Sequence, residues 1–480
     1  MEYLSQYMFS CTRSGLKAQY MTISRLSLRQ RAFKPHGRTF GTRTAQQTLT
    51  YGQSTTLQSS LAMPLDILIV GAGICGPALA ILLQNSDPSH DIKIIERSPS
   101  LRAAGQQIDL RGEGIEVLRK MGLLDDIKSH CVDETGLEIV DSSGNPTTRF
   151  GINPAGERRR TLTSEYEIMR GDVVKTLYEA SLEQNTRLKA DRGSKGGITY
   201  EFGKTLTDLS ENPGGVKVTF SDGQKGQYDL VVAADGQGSR TRRLAFGEDV
   251  SNASFKSVGV HAAYYSIPRI EGEESLAKAY SALDRRLLVT RTSSRPVTQV
   301  LLFTMKGSEK LRQSYKESIE KQKEAFAEVF RDAGWQTDRV LTGMTACSDF
   351  YAHEVGQIKM KHLYKGRVAL LGDAGYCPSP FTGMGTTGCL VGAYILAGEL
   401  ARNRSSVPDA LQTYERIMQP LANGFQQMPT SALGIFFPST KIGVWMLRKL
   451  LWAVSTIDRN APVQQGNAKC NLPDYPELNL

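Results

Sequence analysis

The sequence predicts an α/β fold, with a Rossmann-like dinucleotide-binding domain interleaved with an antiparallel sheet and followed by C-terminal helices. Three observations predict it. An apolar strand runs directly into a GxGxxG turn at residues 66–76. Two further apolar strands run into glycine–acid turns at 229–242 and 367–385. Runs with strand-like alternation occupy 256–303, between those two turns.

The first unit is the most explicit. Asp66-Ile-Leu-Ile-Val70 has no polar interruption after its first residue, as a strand buried on both faces requires. Gly71-Ala-Gly73-Ile-Cys-Gly76 follows, and 77–84 reads as a helix, with Pro77 in a first turn that has N–H groups to spare. Gly71 permits the tight turn, Gly73 lets backbone approach a pyrophosphate, and Gly76 lets helix pack on strand. The helix N-terminus aims its N–H groups at the phosphates. A second strand, Asp91–Ile95, ends at Glu96, twenty residues beyond Gly76. A carboxylate there accepts from both hydroxyls of an adenosine ribose and repels a 2′-phosphate. Gly383-Met-Gly385-Thr-Thr-Gly388 repeats the GxGxxG spacing, but it follows Pro378-Ser-Pro380-Phe-Thr rather than an apolar strand. One dinucleotide domain is therefore expected, not two.

The second turn follows Asp229–Ala234 and reads Asp235-Gly236-Gln-Gly-Ser239-Arg-Thr-Arg242. The third follows Arg367–Leu371 and reads Gly372-Asp373-Ala374, then Pro380-Phe-Thr-Gly383-Met-Gly385-Thr386, and 386–400 has helical periodicity.

Composition narrows the function. Of 480 residues, 40% are hydrophobic and 22% charged, ordinary for a globular chain, and no run nears the ~18 apolar residues of a membrane span. The net charge of +9 is concentrated in residues 1–62, which carry eight basic side chains and the single acid Glu2. The remainder is almost neutral, which argues against nucleic-acid binding. The leader reads as disordered or transit-like. Seven scattered cysteines without a C-x-x-C pair point to a reducing intracellular compartment and no structural metal. The expected location is cytoplasmic, or mitochondrial if the leader is a transit peptide.

Taken together, the GxGxxG near the start, the D-G-x-x-S-x-x-R of 235–242 and the late G-D-A…P-x-x-G-x-G resemble the single-component (class A) FAD-dependent monooxygenases of the aromatic-hydroxylase fold group. Leu101-Arg102-Ala-Ala-Gly105-Gln-Gln-Ile-Asp109-Leu110 and Glu167-Ile-Met-Arg170-Gly-Asp172 are similar to the tetracycline-inactivating members. The resemblance implies FAD and NADPH as cofactors and O₂ with a small organic molecule as substrates, the product being hydroxylated or epoxidised. A role in secondary metabolism is implied by the same likeness. It further implies that Glu96 binds the FAD ribose, Asp109 and Arg170 contact the FAD, and Arg102 meets NADPH. Asp373 would bond the ribityl chain, and Pro380 and Gly383–Thr386 would lie against the isoalloxazine. Asp235 and Arg242 would serve FAD and NADPH, with Gly236 allowing close backbone approach. The pattern departs at Tyr376, where the family usually has His, and at Val391-Gly392-Ala393, where it often has Glu-Asp-Ala.

The implied organisation is a leader (1–62), a first FAD-binding part (63–250), a substrate-domain sheet and helix (251–350), a second FAD-binding part (351–405) and a C-terminal helical segment and tail (406–480). No Ser-His-Asp arrangement, catalytic cysteine or metal cluster stands out. That suits a reaction carried by the cofactor, and no side chain is assigned a catalytic role. Cys75, Cys377 and Cys389 read as small packing residues. His261 and Tyr264 lie on opposite faces of one strand, so one of them faces the pocket. Residues 311–331 read as one charged amphipathic helix, and the apolar 435–447 as a helix docked on the body, membrane-surface contact being the alternative. The tail 471–480 reads as loose. The chain is expected as a monomer or homodimer. Rival functions are a flavoprotein dehydrogenase or oxidase and a non-catalytic FAD-binding protein. The W-x-W-x-I-P of flavin halogenases is absent.

Overall fold

The computed structural model describes residues 64–102, 105–151, 166–192, 196–428, 433–458 and 472–480. The basic leader lies outside the described residues. In chain order, β1 (Asp66–Val70), α1 (Cys75–Ser86) and β2 (Asp91–Glu96) form the first βαβ unit. Then come β3 (Gln107–Asp109), α2 (Gly112–Lys120), α3 (Leu124–Ser129), β4 (Gly136–Val140), β5 (Pro146–Gly151), β6 (Glu167–Met169) and α4 (Arg170–Arg192). β7 (Gly197–Phe202), β8 (Leu206–Asn212), β9 (Gly215–Phe220), β10 (Lys225–Tyr228) and β11 (Leu230–Ala233) precede α5 (Arg240–Phe246) and α6 (Glu248–Ser254). The middle of the chain holds β12 (Phe255–Pro268), β13 (Ala277–Ala282), β14 (Arg286–Thr292) and β15 (Val297–Thr304). It continues through α7 (Ser308–Ser314), α8 (Ile319–Phe330), α9 (Thr337–Ala346) and β16 (Tyr351–Ile358). The rest is β17 (Tyr364–Lys365), β18 (Val368–Leu370), α10 (Asp373–Tyr376), α11 (Gly385–Arg402), α12 (Val407–Phe425), α13 (Leu433–Phe436) and α14 (Lys441–Asp458).

The first sheet has the order β17-β18-β11-β1-β2-β7, parallel except at β17. The strands whose ends carry the three motif turns, β1, β11 and β18, are neighbours in it. Parallel alignment puts their C-terminal ends on one edge, where ligands of open α/β sheets bind. The second sheet, β16-β12-β15-β14-β13-β4-β5, is antiparallel apart from β13–β4. It draws strands from 136–151 and 351–358 as well as from 255–304, so the interleaving is finer than the sequence division suggests. Alternation along β12 sends Ala262 and Tyr264 to one apolar core and Ala263, Tyr265 and Ile267 to another, the second closed by α7, α8 and α9.

A buried polar joint fastens the seven-stranded sheet to the two-stranded ribbon β3–β6. Arg291 of β14 holds Glu134 (2.7 and 2.9 Å) and Glu167 of β6 (2.8 and 2.9 Å), and Gln107 of β3 donates to Glu167 at 2.8 Å. The Gln107 N–H donates to Gln299 Oε1 (2.8 Å), and Gln299 Nε2 donates to the Gly105 carbonyl (3.1 Å). Burial raises the Glu134 carboxyl to about 7, against the pull of Arg291.

Three sequence expectations are corrected here. The helix expected over 311–331 is two, α7 and α8. Between them Tyr315 turns inward to His261 Nδ1 (2.9 Å), and Ser318 caps the second helix. The tail is docked rather than loose: Tyr475 and Leu478 are buried, and Tyr475 donates to Glu399 at 2.8 Å. Gly398 makes the room, since a Cβ there would strike the Tyr475 ring. Cys75 and Cys389 are not packing thiols; they form a disulfide joining α1 to α11, with Cα atoms 5.5 Å apart. Cys377 is a free, buried thiol.

Candidate cofactor and active site

The first turn is tight because two glycines leave no alternative. Gly71 has φ of +115°, and a Cβ on it would run into the Ala234 carbonyl at the end of β11. A Cβ on Gly76 would strike the Gly71 carbonyl. α1 then begins at Ile74 with no side-chain cap, leaving first-turn N–H groups for an anion. Glu96, at the end of β2, accepts from the N–H groups of Ala72 (3.1 Å) and Ser98 (2.9 Å), which fixes its carboxylate beside the turn.

The second turn is braced from within. Asp235 accepts from the Thr241 N–H and hydroxyl (3.0 Å each) and from the Ser239 hydroxyl, which caps α5. Gly236 has φ of +79°, and a Cβ on it would meet nothing within 4 Å. Arg242 donates to Ser251 Oγ (2.9 Å), the Gln237 carbonyl (2.8 Å) and the Ala374 carbonyl (2.7 Å). The last of these ties the second turn to the third.

At the third turn, Asp373 opens α10. Burial pushes its carboxyl up, with Cys377 and Arg170 opposing. Gly383 is left-handed (φ +66°), and α11 starts after Met384, again without a side-chain cap. Asp109 is buried against Arg111, whose carbonyl accepts from Thr387 (3.0 Å) in the first turn of α11.

Arg170 connects these pieces. It is the first residue of α4, its N–H donates to the Gln106 carbonyl (3.0 Å), and Nη2 lies 3.5 Å from where a Cβ of Gly73 would sit. Burial lowers its pKa, as does the nearby Arg102, while Asp373, Tyr351 and Glu96 pull the other way. Arg102 lies over the Tyr351 ring, 5.1 Å from its centre. Gly73, Glu96, Arg102, Arg170 and Asp373 therefore surround one cleft.

The roof is aromatic. Tyr264 stacks with Tyr351 (6.3 Å) and His353 (5.8 Å), and Tyr351 with His353 (5.0 Å). Tyr264 also meets Phe303 edge-on (5.8 Å), and Phe303 packs on Phe381 of the third turn (5.7 Å). Of the two candidates on β12, Tyr264 thus faces the cleft, and His261 is on the opposite face with Tyr315. The sequence reading missed Tyr351 and His353. Their period-two spacing on a strand was the available signal, but it does not say what lies opposite. Burial drives His353 down to about 4, so it is neutral near pH 7, and its Nδ1 is buried with no hydrogen-bond partner among the described residues.

The two departures from the family pattern explain each other. A Cβ on Gly392 would collide with the Tyr376 hydroxyl, which is 3.3 Å from the Tyr414 hydroxyl; Tyr414 donates to the Leu370 carbonyl at 2.9 Å. Tyr376 and Gly392 are a matched pair beneath the third turn. Gly392→Ala is expected to lose about 1–3 kcal/mol by overpacking. Adding Tyr376→Phe should recover most of it in a urea-denaturation double-mutant cycle; additive losses would show that the two positions are independent.

Comparison with known proteins agrees with this arrangement. The FAD binding domain family matches residues 64–428. The FAD-dependent monooxygenase asL6 of Sarocladium schorii is 39% identical over 422 residues, covering 87% of this chain and 99% of that protein. Monooxygenase CTB7 of Cercospora beticola is 30% identical, over 85% of this chain and 97% of its own. The crystal structure of tetracycline destructase Tet(51) superposes with a TM-score of 0.67 at 28% identity, covering 86% of this chain and 100% of that one. With the family matched over most of its length, on a fold that brings its three motif turns to one cleft, this chain belongs to the FAD-dependent monooxygenases.

Proposed function

We propose that the chain uses NADPH and O₂ to hydroxylate or epoxidise a small, largely apolar organic molecule held between the third turn and the Tyr264–Tyr351–His353 wall. FAD, when bound, supplies the electron and oxygen-transfer chemistry. The cleft fits that group on its own geometry. Two helices, α1 and α11, enter it uncapped, and Gly236 and Gly385 leave open space where side chains would stand. In this reading Gly71, Gly73 and Gly76 receive the pyrophosphate, Glu96 the ribose and Asp373 the ribityl chain. Asp109, Arg170 and Asp235 stand beside the cofactor. Pro380, Gly383, Gly385 and Thr386 face the flavin, where the positive end of α11 stabilises negative charge.

The rest of the chemistry falls to positioning. Tyr264 and Tyr351 hold a flat substrate and keep water from the reacting face. His353, kept neutral by burial, completes the wall without adding a charge to it. Arg102, exposed at the rim over Tyr351, is placed to meet the negative NADPH. A role in secondary metabolism, a cytoplasmic or, with a functional leader, mitochondrial location, and a monomeric or homodimeric state complete the reading.

The observation that carries it is the aromatic wall facing the third turn. Its test is an NADPH-oxidation screen against phenols, polyketides and tetracyclines, with O₂ uptake followed in parallel. A turnover substrate should disappear in step with NADPH and O₂; NADPH and O₂ consumed with H₂O₂ formed and no substrate lost would indicate an oxidase, and NADPH loss without O₂ uptake a dehydrogenase. Arg102→Ala should keep its flavin colour but slow reduction by NADPH at least 10-fold; unchanged stopped-flow reduction would remove Arg102 from that role.

A further inference from the structure

Among the described residues, a large exposed apolar surface outside the site lies on α14. Its inner residues Leu447 and Leu451 are buried in the same core as Tyr264, Phe303 and Phe381. On its outer side Ile442 is 71% exposed, Trp445 60%, Met446 59% and Trp452 54%. At 100° per residue these four fall within one third of the helix circumference, with Lys449 between the two indole rings, 6.0 Å from each. No side chain of the described residues covers the stripe, and two exposed tryptophans on one stripe are costly in water. Of the charged residues of α14, Lys441 and Lys449 are exposed with the stripe, Arg448 turns inward to the Val140 carbonyl (3.4 Å), and the single carboxylate, Asp458, is the last residue of the helix.

We propose that this outer face of α14 docks the protein on an anionic lipid surface. The composition is that of an interfacial helix: indole rings suited to the headgroup level, an apolar stripe, and lysines whose aliphatic stems lie along it while their ammonium groups reach lipid phosphates and carboxylates. The helix does not cross the membrane; none among the described residues is long and apolar enough. Charge argues against the other occupants. A second copy would set Lys441 and Lys449 against the same two lysines. The chain's own stretches outside the described residues are also basic: eight basic and one acidic side chain in 1–62, three and two in 152–165, two and none in 459–471. Docking through this face would set the substrate wall about one helix diameter (~10 Å) from the lipid, because α14 packs directly on that wall's core.

The test uses the full-length flavin-loaded enzyme with vesicles of phosphatidylcholine alone or with one-third phosphatidylserine. The enzyme should sediment with the serine-containing vesicles and much less with the others, and its tryptophan emission should shift to the blue, since two of its three tryptophans are on the stripe. Trp445→Ser/Trp452→Ser should abolish both signals while retaining flavin and solution turnover. Lys441→Gln/Lys449→Gln should weaken binding about 30-fold. No sedimentation with either vesicle overturns the proposal. So does binding that survives the tryptophan substitutions, which would belong to the basic leader. A concentration-dependent dimer in ultracentrifugation that the tryptophan substitutions dissolve would assign the face to a second copy instead.

Discussion

Asp373→Ala is expected to give a protein that folds but holds FAD about 10- to 150-fold more weakly, and so purifies pale. The magnitude follows from losing a hydrogen bond to a charged group, about 1.5–3 kcal/mol. The carboxylate opens a four-residue helix and faces Arg170 and Cys377, so circular dichroism and urea denaturation of the variant separate loss of the cofactor contact from loss of those local contacts. Circular dichroism should be unchanged, and fluorescence titration of FAD into the apoprotein gives the affinity. Asp373→Asn keeps the shape and should recover part of the loss. Wild-type affinity in both variants would move the ribityl contact elsewhere.

The second large effect concerns the joint between the seven-stranded sheet and the β3–β6 ribbon. Arg291→Met leaves Glu134 and Glu167 buried without their shared cation, a change of the kind that costs about 3–5 kcal/mol. Because Gln107 and Gln299 link that joint to Gly105, the Leu101–Leu110 segment should loosen as well. Urea denaturation should show the loss, and FAD affinity should fall with it. The same joint makes stability pH-dependent. Glu134 titrates near 7 in the fold against about 4.5 in the unfolded chain, so the folded state binds its proton more tightly. Its contribution is full below 4.5 and is lost as the pH rises through 7. Glu134→Gln should remove that decline, its advantage over wild type growing from pH 4.5 to 7 and then levelling off. A parallel pair of stability–pH curves would contradict this.

What was legible in the sequence was what local chemistry dictates. β1, β11 and β18 announce themselves as apolar runs ending in glycine–acid turns, because a buried parallel strand tolerates no polar residue and the turns need glycine. Glu96 and Asp373, far apart in sequence, both act on the Arg170 guanidinium. The illegible part depends on distant contacts. Tyr351 and His353 join Tyr264 only because β16 pairs with β12, and no spacing records that. Cys75 meets Cys389 across 314 residues. The break between α7 and α8 exists because Tyr315 turns to His261, more than fifty residues away in sequence. The tail docks because Gly398 lacks a side chain opposite Tyr475, a pairing that no local pattern in the sequence records.

The most direct test of the central claim, that three distant turns build one flavin cradle, is the stoichiometry of FAD binding to the apoprotein, followed by visible absorbance. One FAD per chain is expected, with a flavin spectrum perturbed by the protein. A chain that stays colourless after reconstitution, or binds FAD with the spectrum of free flavin, would contradict it.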